Sequence, residues 1–184
     1  AVSIIRKVKA IREQSMSLRV SSRKPFGLPT NARPMKAGDI RLRWNNGEGP
    51  YERSRISIGK EIIDAWKVIT SKVSYDHAGQ PDKLGTRKVL SIVDVLPPGT
   101  ICTETYIVAG SFQDEVQARN LASYLRTKFV RFLVSQLSFS QDITKDRFLF
   151  VPSLDTSREW TDAQLYERYQ LLPEEIEYIE SRIK

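Results

Sequence analysis

The sequence predicts an α+β domain: an antiparallel or mixed β-sheet of about five to seven strands, with one long packed helix and a C-terminal helical hairpin. Three observations carry this. Residues 100–137 read as a strand turning into the longest helix of the chain, several short alternating β-branched runs precede it, and a helical tail with its own start signals follows residue 158.

Taken in order, Ile4, Ile5, Val8 and Ile11 share one helix face, with Arg6, Lys7, Lys9 and Arg12 around it. Because the chain opens at Ala1 without an initiator Met, residues 1–16 are expected to be a linker helix of a longer protein. An α+β domain is expected over 17–158 and the helical hairpin over 159–184. Met16 to Val20 is expected to start a strand. Pro25, Gly27, Pro29, Pro34 and Gly38 then break the chain into a basic loop, mobile or partner-bound, that carries Arg23, Lys24, Arg33 and Lys36.

Asp39 to Trp44 alternates cleanly, with Ile40, Leu42 and Trp44 on one face and Arg41 and Arg43 on the other, so it reads as a half-buried strand. Asn45 to Pro50 is a dense turn, and Arg53 to Ile58 is expected to be the next strand. Ala65 to Val73 is rich in β-branched residues and reads as a strand, followed by a long polar loop holding His77. Arg87 to Leu96 forms another strand, which Pro97-Pro98-Gly99 turns into the run Ile101 to Ala109.

Gly110 ends that run, and Ser111 with Asp114 resembles a helix start. Ala118, Leu121, Ala122, Leu125, Phe129, Phe132 and Leu133 then form one apolar stripe. Asn120, Tyr124, Thr127, Lys128 and Arg131 occupy the opposite face, a candidate phosphate-contact surface. Arg147 to Pro152 is expected to be a last strand. Thr161 with Gln164 makes a capping box, and Pro173 opens a final helix through Ile176, Ile179 and Ile183.

Composition narrows the function classes. The chain has 184 residues, a net charge of +7, one cysteine and one histidine. These exclude a disulfide framework and make a zinc site a poor expectation; Cys102, inside a strand, reads as a buried, inert thiol. No apolar run approaches the roughly 20 residues of a membrane span, so a cytoplasmic protein without a membrane partner is expected. Residues 1–95 carry 19 cations against 9 anions, a net +10, whereas residues 96–184 carry 10 against 13, a net −3. A basic half beside a mildly acidic one points to a polyanion, most often nucleic acid.

No glycine-rich nucleotide loop and no nucleophile elbow occurs, so no catalytic residue is assigned. Backbone contacts to DNA are expected from Arg23, Lys24, Arg33, Lys36, Lys83, Arg87 and Lys88. The candidate base readers are Arg41 and Arg43, which share a strand face, and Asn45 and Asn46; Lys72, Tyr75 and His77 border the long loop as second candidates. Trp44, Trp66 and Trp160 are expected in the core.

The blocks T-E-T-Y-I-V-A-G-S-F (103–112), S-Y-L-R-T-K-F-V-R-F-L-V (123–134), F-V-P-S-L-D (150–155) and W-T-D-A-Q-L-Y-E-R-Y (160–169), with E-E-I-E-Y-I-E-S after them, resemble the C-terminal part of adenine-specific DNA methyltransferases of bacterial restriction-modification systems. The similarity is dense from about Trp66 to the end. Many such enzymes join an endonuclease, a methylase and a target-recognition region in one polypeptide. Neither the family's methyl-donor loop nor its Asn/Asp-Pro-Pro-aromatic motif is present; Pro97-Pro98 is preceded by Leu96 and followed by Gly99. The resemblance therefore implies the target-recognition region alone, with duplex DNA and the methylase catalytic domain of the same polypeptide as partners. It implies no cofactor in this chain, S-adenosylmethionine in the catalytic domain, and magnesium only with a nuclease part. Thr105, Tyr106, Thr127, Lys128 and Arg131 are the family-matched polar residues. Ser135 to Ser140 is less charged than the family's loop after the long helix.

Two further readings compete. One is a protein-docking module between methylase and nuclease parts. The other is a metal-dependent nuclease fragment that pairs Asp94 with Glu104, although Tyr106 stands where a lysine would be expected.

Overall fold

The computed structural model describes residues 1–72, 83, 85–86, 89–137 and 144–184. The α+β class holds, with the strands divided between two three-stranded sheets. The first, in order β2-β1-β5, contains β1 (Ile40–Trp44), β2 (Gly47–Tyr51) and β5 (Thr100–Cys102); β1 runs antiparallel to β2 and parallel to β5. The second, in order β4-β3-β6, is antiparallel and contains β3 (Trp66–Ser71), β4 (Val93–Leu96) and β6 (Tyr106–Phe112).

The second sheet is buried on both faces. Val68, Ile107 and Ala109 face the helices α2 (Glu115–Arg126) and α3 (Lys128–Ser135) in one core. Ile69, Tyr106 and Val108 pack against Ile40, Leu42 and Ile101 of the first sheet in a second core. Period-two alternation thus serves two cores from one sheet.

The expected strand 101–109 is two strands. Tyr106 N donates to Thr103 O at 3.1 Å, closing a turn at 103–105 through which the chain changes sheet. The expected long helix is also divided. Thr127 lies at φ −62° and ψ 150°, extended backbone that ends α2, and its Oγ1 accepts from Val130 N. The carboxylate of Asp162, from α4 (Asp162–Arg168), accepts from the amides of Lys128 and Phe129 at 3.1 and 2.9 Å, a negative charge on the first turn of α3. The apolar stripe runs through the break because α3 restarts at once.

Other expected strands become turns. Met16–Leu18, Arg53–Arg55 and Lys145–Phe148 are 3₁₀ turns, and the last expected strand leaves only the bridge Ser15–Pro152. The second strand of the first hairpin is 47–51 instead. Gly49 permits this, since a Cβ there would lie 2.5 Å from Pro34 Cβ, so the preceding loop lies against the strand. The start of the expected strand 87–96 and the end of 65–73 fall outside the described residues.

At the other end, Thr161 and Gln164 form the expected capping box, and Pro173 starts α5 (Pro173–Arg182). Helix α1 (Val2–Ala10) docks on this hairpin. Ile4 and Val8 share a core with Leu165, Ile179 and Ile183, and Glu175 accepts from Lys7 Nζ and Ser3 Oγ, both at 2.7 Å. Glu13 pairs with Arg168 in the same contact. No described helix is long and apolar enough to cross a membrane.

One buried cation ties the layers together. Lys67, fully buried on β3, donates from Nζ to the carbonyls of Ile62, Ile63, Ala65 and Pro97 at 3.1, 2.7, 2.7 and 3.4 Å. Burial pushes its pKa down to about 8. Neighbouring Cys102 is buried as expected, and burial pushes its thiol up to about 12.

Candidate nucleic-acid interface

The interface is built from the end of β1. Asn45 and Asn46 form a two-residue hairpin turn between Trp44 and Gly47, and both are exposed. Beside them runs the 21–38 loop, docked rather than loose. Phe26 is buried in the core between the sheets, and Leu28 O accepts from Glu104 N at 3.0 Å. Pro50 O accepts from Met35 N at 2.7 Å on the outer edge of β2. This anchoring leaves the loop's charged side chains outward: Arg23, Lys24, Arg33 and Lys36 are all exposed. None of the four is ion-paired to a described residue.

Arg33 is held against the fold. Its Nη1 donates to Thr30 O and Ala32 O, both at 2.9 Å, and its guanidinium carbon stands 4.2 Å from the centroid of the Trp44 ring. Trp44 belongs to neither core, a correction to its expected burial; Trp66 packs against the helical core, and Trp160 is buried with its indole N–H bound to Asp155 O. The signal that could have found Trp44 is its place directly before the Asn-Asn turn.

The two expected base readers on β1 differ. Arg41 is exposed, with Nε 3.4 Å from Glu48 Oε2. Arg43 is only about a quarter exposed, with Nη1 3.1 Å from Asp94 Oδ2 and its guanidinium 5.4 Å from the Tyr106 ring centroid. Burial disfavours its charge, but Tyr106 and Asp94 outweigh this and raise its pKa. Lys72, at the end of β3, is nearly buried with Nζ 3.9 Å from Glu104 Oε2. Asp94 and Glu104, the two carboxylates of the nuclease reading, thus each face a cation. Among the described residues no group of three or more acidic, His or Cys side chains is arranged to hold a metal ion.

Thr127, Lys128 and Arg131 lie elsewhere. Thr127 caps α3, Lys128 Nζ is 2.6 Å from Glu180 Oε2, and Arg131 donates to the carbonyls of Thr127 and Lys184. Asn120 and Tyr124 bind Thr156 O and Pro152 O. The polar face of the expected long helix therefore meets the C-terminal segment. Lys83 is exposed, while Tyr75, His77, Arg87 and Lys88 lie outside the described residues.

The fold divides the charge of the basic half. Residues 1–20, five cations to one anion, meet residues 155–184, four to eight, through Lys7–Glu175 and Glu13–Arg168, while Arg6, Lys9, Arg12 and Arg19 are exposed and not ion-paired to a described residue. Residues 21–64, nine cations to five anions, keep their +4 on the opposite side of the second sheet. No protein-family model matches the chain, and no curated protein matches it.

Proposed function

We propose that this chain is a DNA target-recognition domain of a bacterial restriction-modification adenine DNA methyltransferase, gripping duplex DNA and reading its recognition sequence. The observation that carries the reading is the set of outward, unpaired cations on the docked 21–38 loop. The exposed cations Arg23, Lys24, Arg33 and Lys36, none ion-paired to a described residue, lie on one docked loop that Arg33 joins to Trp44, just before the Asn45-Asn46 turn, while Glu175 and Glu180 of the acidic hairpin pair with α1 and α3. Such a surface suits phosphates, and the adjoining amides and guanidinium groups suit base edges. In this reading the chain performs no catalysis. S-adenosylmethionine and the flipped adenine belong to a catalytic domain of the same cytoplasmic polypeptide, which the duplex grip serves.

The test is duplex binding by the chain, titrated over salt, on random-sequence and methylase-protected genomic fragments. A steep salt dependence with a preference for the protected fragments is expected. No binding at low salt would transfer the assignment to the docking-module reading, which the exposed Leu18, Leu149 and Leu172 favour. The nuclease reading gains no support from two carboxylates each facing a cation.

A further inference from the structure

Within the target-recognition reading, on which this inference rests, we propose that Arg33, held over the Trp44 ring, is the guanine reader of the domain. Arginine carries five N–H donors in a planar fork. Two carbonyls, Thr30 O and Ala32 O, accept from Nη1 at 2.9 Å and engage both of its hydrogens, and the guanidinium carbon lies over the Trp44 ring, 4.2 Å from its centroid. The edge formed by Nε and Nη2 is left with parallel donors. That edge matches the O6 and N7 acceptors that guanine presents in the major groove.

Of the other arginines in residues 21–64, all but Arg23 are engaged with carboxylates, and Arg23 has neither a carboxylate nor an aromatic platform among the described residues. Arg41 meets Glu48 through Nε, Arg43 meets Asp94, Arg53 meets Asp64 and Arg55 meets Glu52. For any of these to bind a base, an existing ion pair must open. Arg33 is exposed, holds only carbonyls, and has its orientation fixed before DNA arrives, so less side-chain freedom is lost on binding. The Asn45-Asn46 turn directly follows Trp44, so two amides suited to adenine adjoin in sequence the platform that holds the fork. Arg33 is thereby moved from the phosphate grip to base readout.

The experiment selects duplexes from a randomised pool with the wild-type chain, R33K and W44L, and then measures affinity for the enriched and scrambled duplexes over salt. R33K keeps the charge and removes the fork; W44L keeps the arginine and removes its platform. The expected result is that both variants bind scrambled duplex like the wild type but discriminate at least about fivefold less at one G·C pair of the enriched motif. If either variant retains the wild-type preference, Arg33 is not the stacked reader, while the domain reading stands. An equal loss on every duplex would make Arg33 a phosphate contact and overturn the inference. If the wild-type chain binds no duplex, the domain reading itself fails.

Discussion

Two groups of cations were equivalent candidates as sequence, and the fold treats them oppositely. Lys128 and Arg131 sit on a helix whose outer face is covered by Glu180 and the C-terminal carbonyl, so their charge goes into holding α3 to α5. Arg23, Lys24 and Lys36 ride a loop pinned by its apolar and backbone groups, so their charge stays outward, unpaired with any described residue. The lesson is that a basic residue is informative about a polyanion only once its neighbours across the fold are known.

The sharpest way to break this comparison is to neutralise each group in turn. Arg23→Gln, Lys24→Gln and Lys36→Gln together should weaken duplex binding on the order of a hundredfold and lower the salt slope by roughly 3, read by fluorescence anisotropy over a salt series. Lys128→Gln with Arg131→Gln should leave that binding within about twofold. Reversed results would place the interface on the helical side.

The internal cations give a second contrast. Lys67→Met should cost about 1–3 kcal/mol at neutral pH in chemical denaturation, because four carbonyls lose their donor. The pH signature is specific. Since the folded pKa of about 8 lies below the ordinary 10.5, the unfolded chain holds the proton longer, and wild-type stability should rise as pH climbs from about 8 to 10.5. The variant should lack that rise.

On the helical side, Glu175 behaves in the opposite sense. Burial would raise its pKa, but Lys7, the Leu172 amide and Ser3 together hold it down to about 2, against an ordinary 4.5. The stability this contributes is fully present above about pH 4.5 and is lost as pH falls toward 2. Glu175→Gln should cost about 1–2 kcal/mol at pH 7 and flatten acid unfolding, followed by circular dichroism. The smallest expected effect is that of Thr127→Ala, which removes a helix cap and should cost about 1 kcal/mol with no change in DNA binding.

Some local signals behaved as the sequence predicts, whereas Gly110 and the Ser111 helix start did not, because β6 continues to Phe112 and Asp114 caps α2 by accepting from Gln117 N. The Thr161–Gln164 capping box, Pro173 at a helix start and the alternation of Ile40 and Leu42 each depend on a few neighbouring residues, and each is present. Thr127 was not legible as a break, because the apolar stripe continues through it and the deciding carboxylate, Asp162, lies 34 residues beyond Lys128. Trp44 was not legible as an outer platform, because alternation with Ile40 and Leu42 placed it inward. In the candidate interface, the exposed loop cations were legible, while the pairing of Arg43 with Asp94 across the two sheets was not.

By itself the sequence determined the α+β class, the helical ends, the buried stripe and the basic character of the first half, since each follows from periodicity, caps or composition. Only the tertiary structure decided where strands change sheet, which cations are neutralised and which are left outward. These depend on Coulomb and hydrogen-bond partners far apart in the chain, and such pairings have no period that a sequence can display.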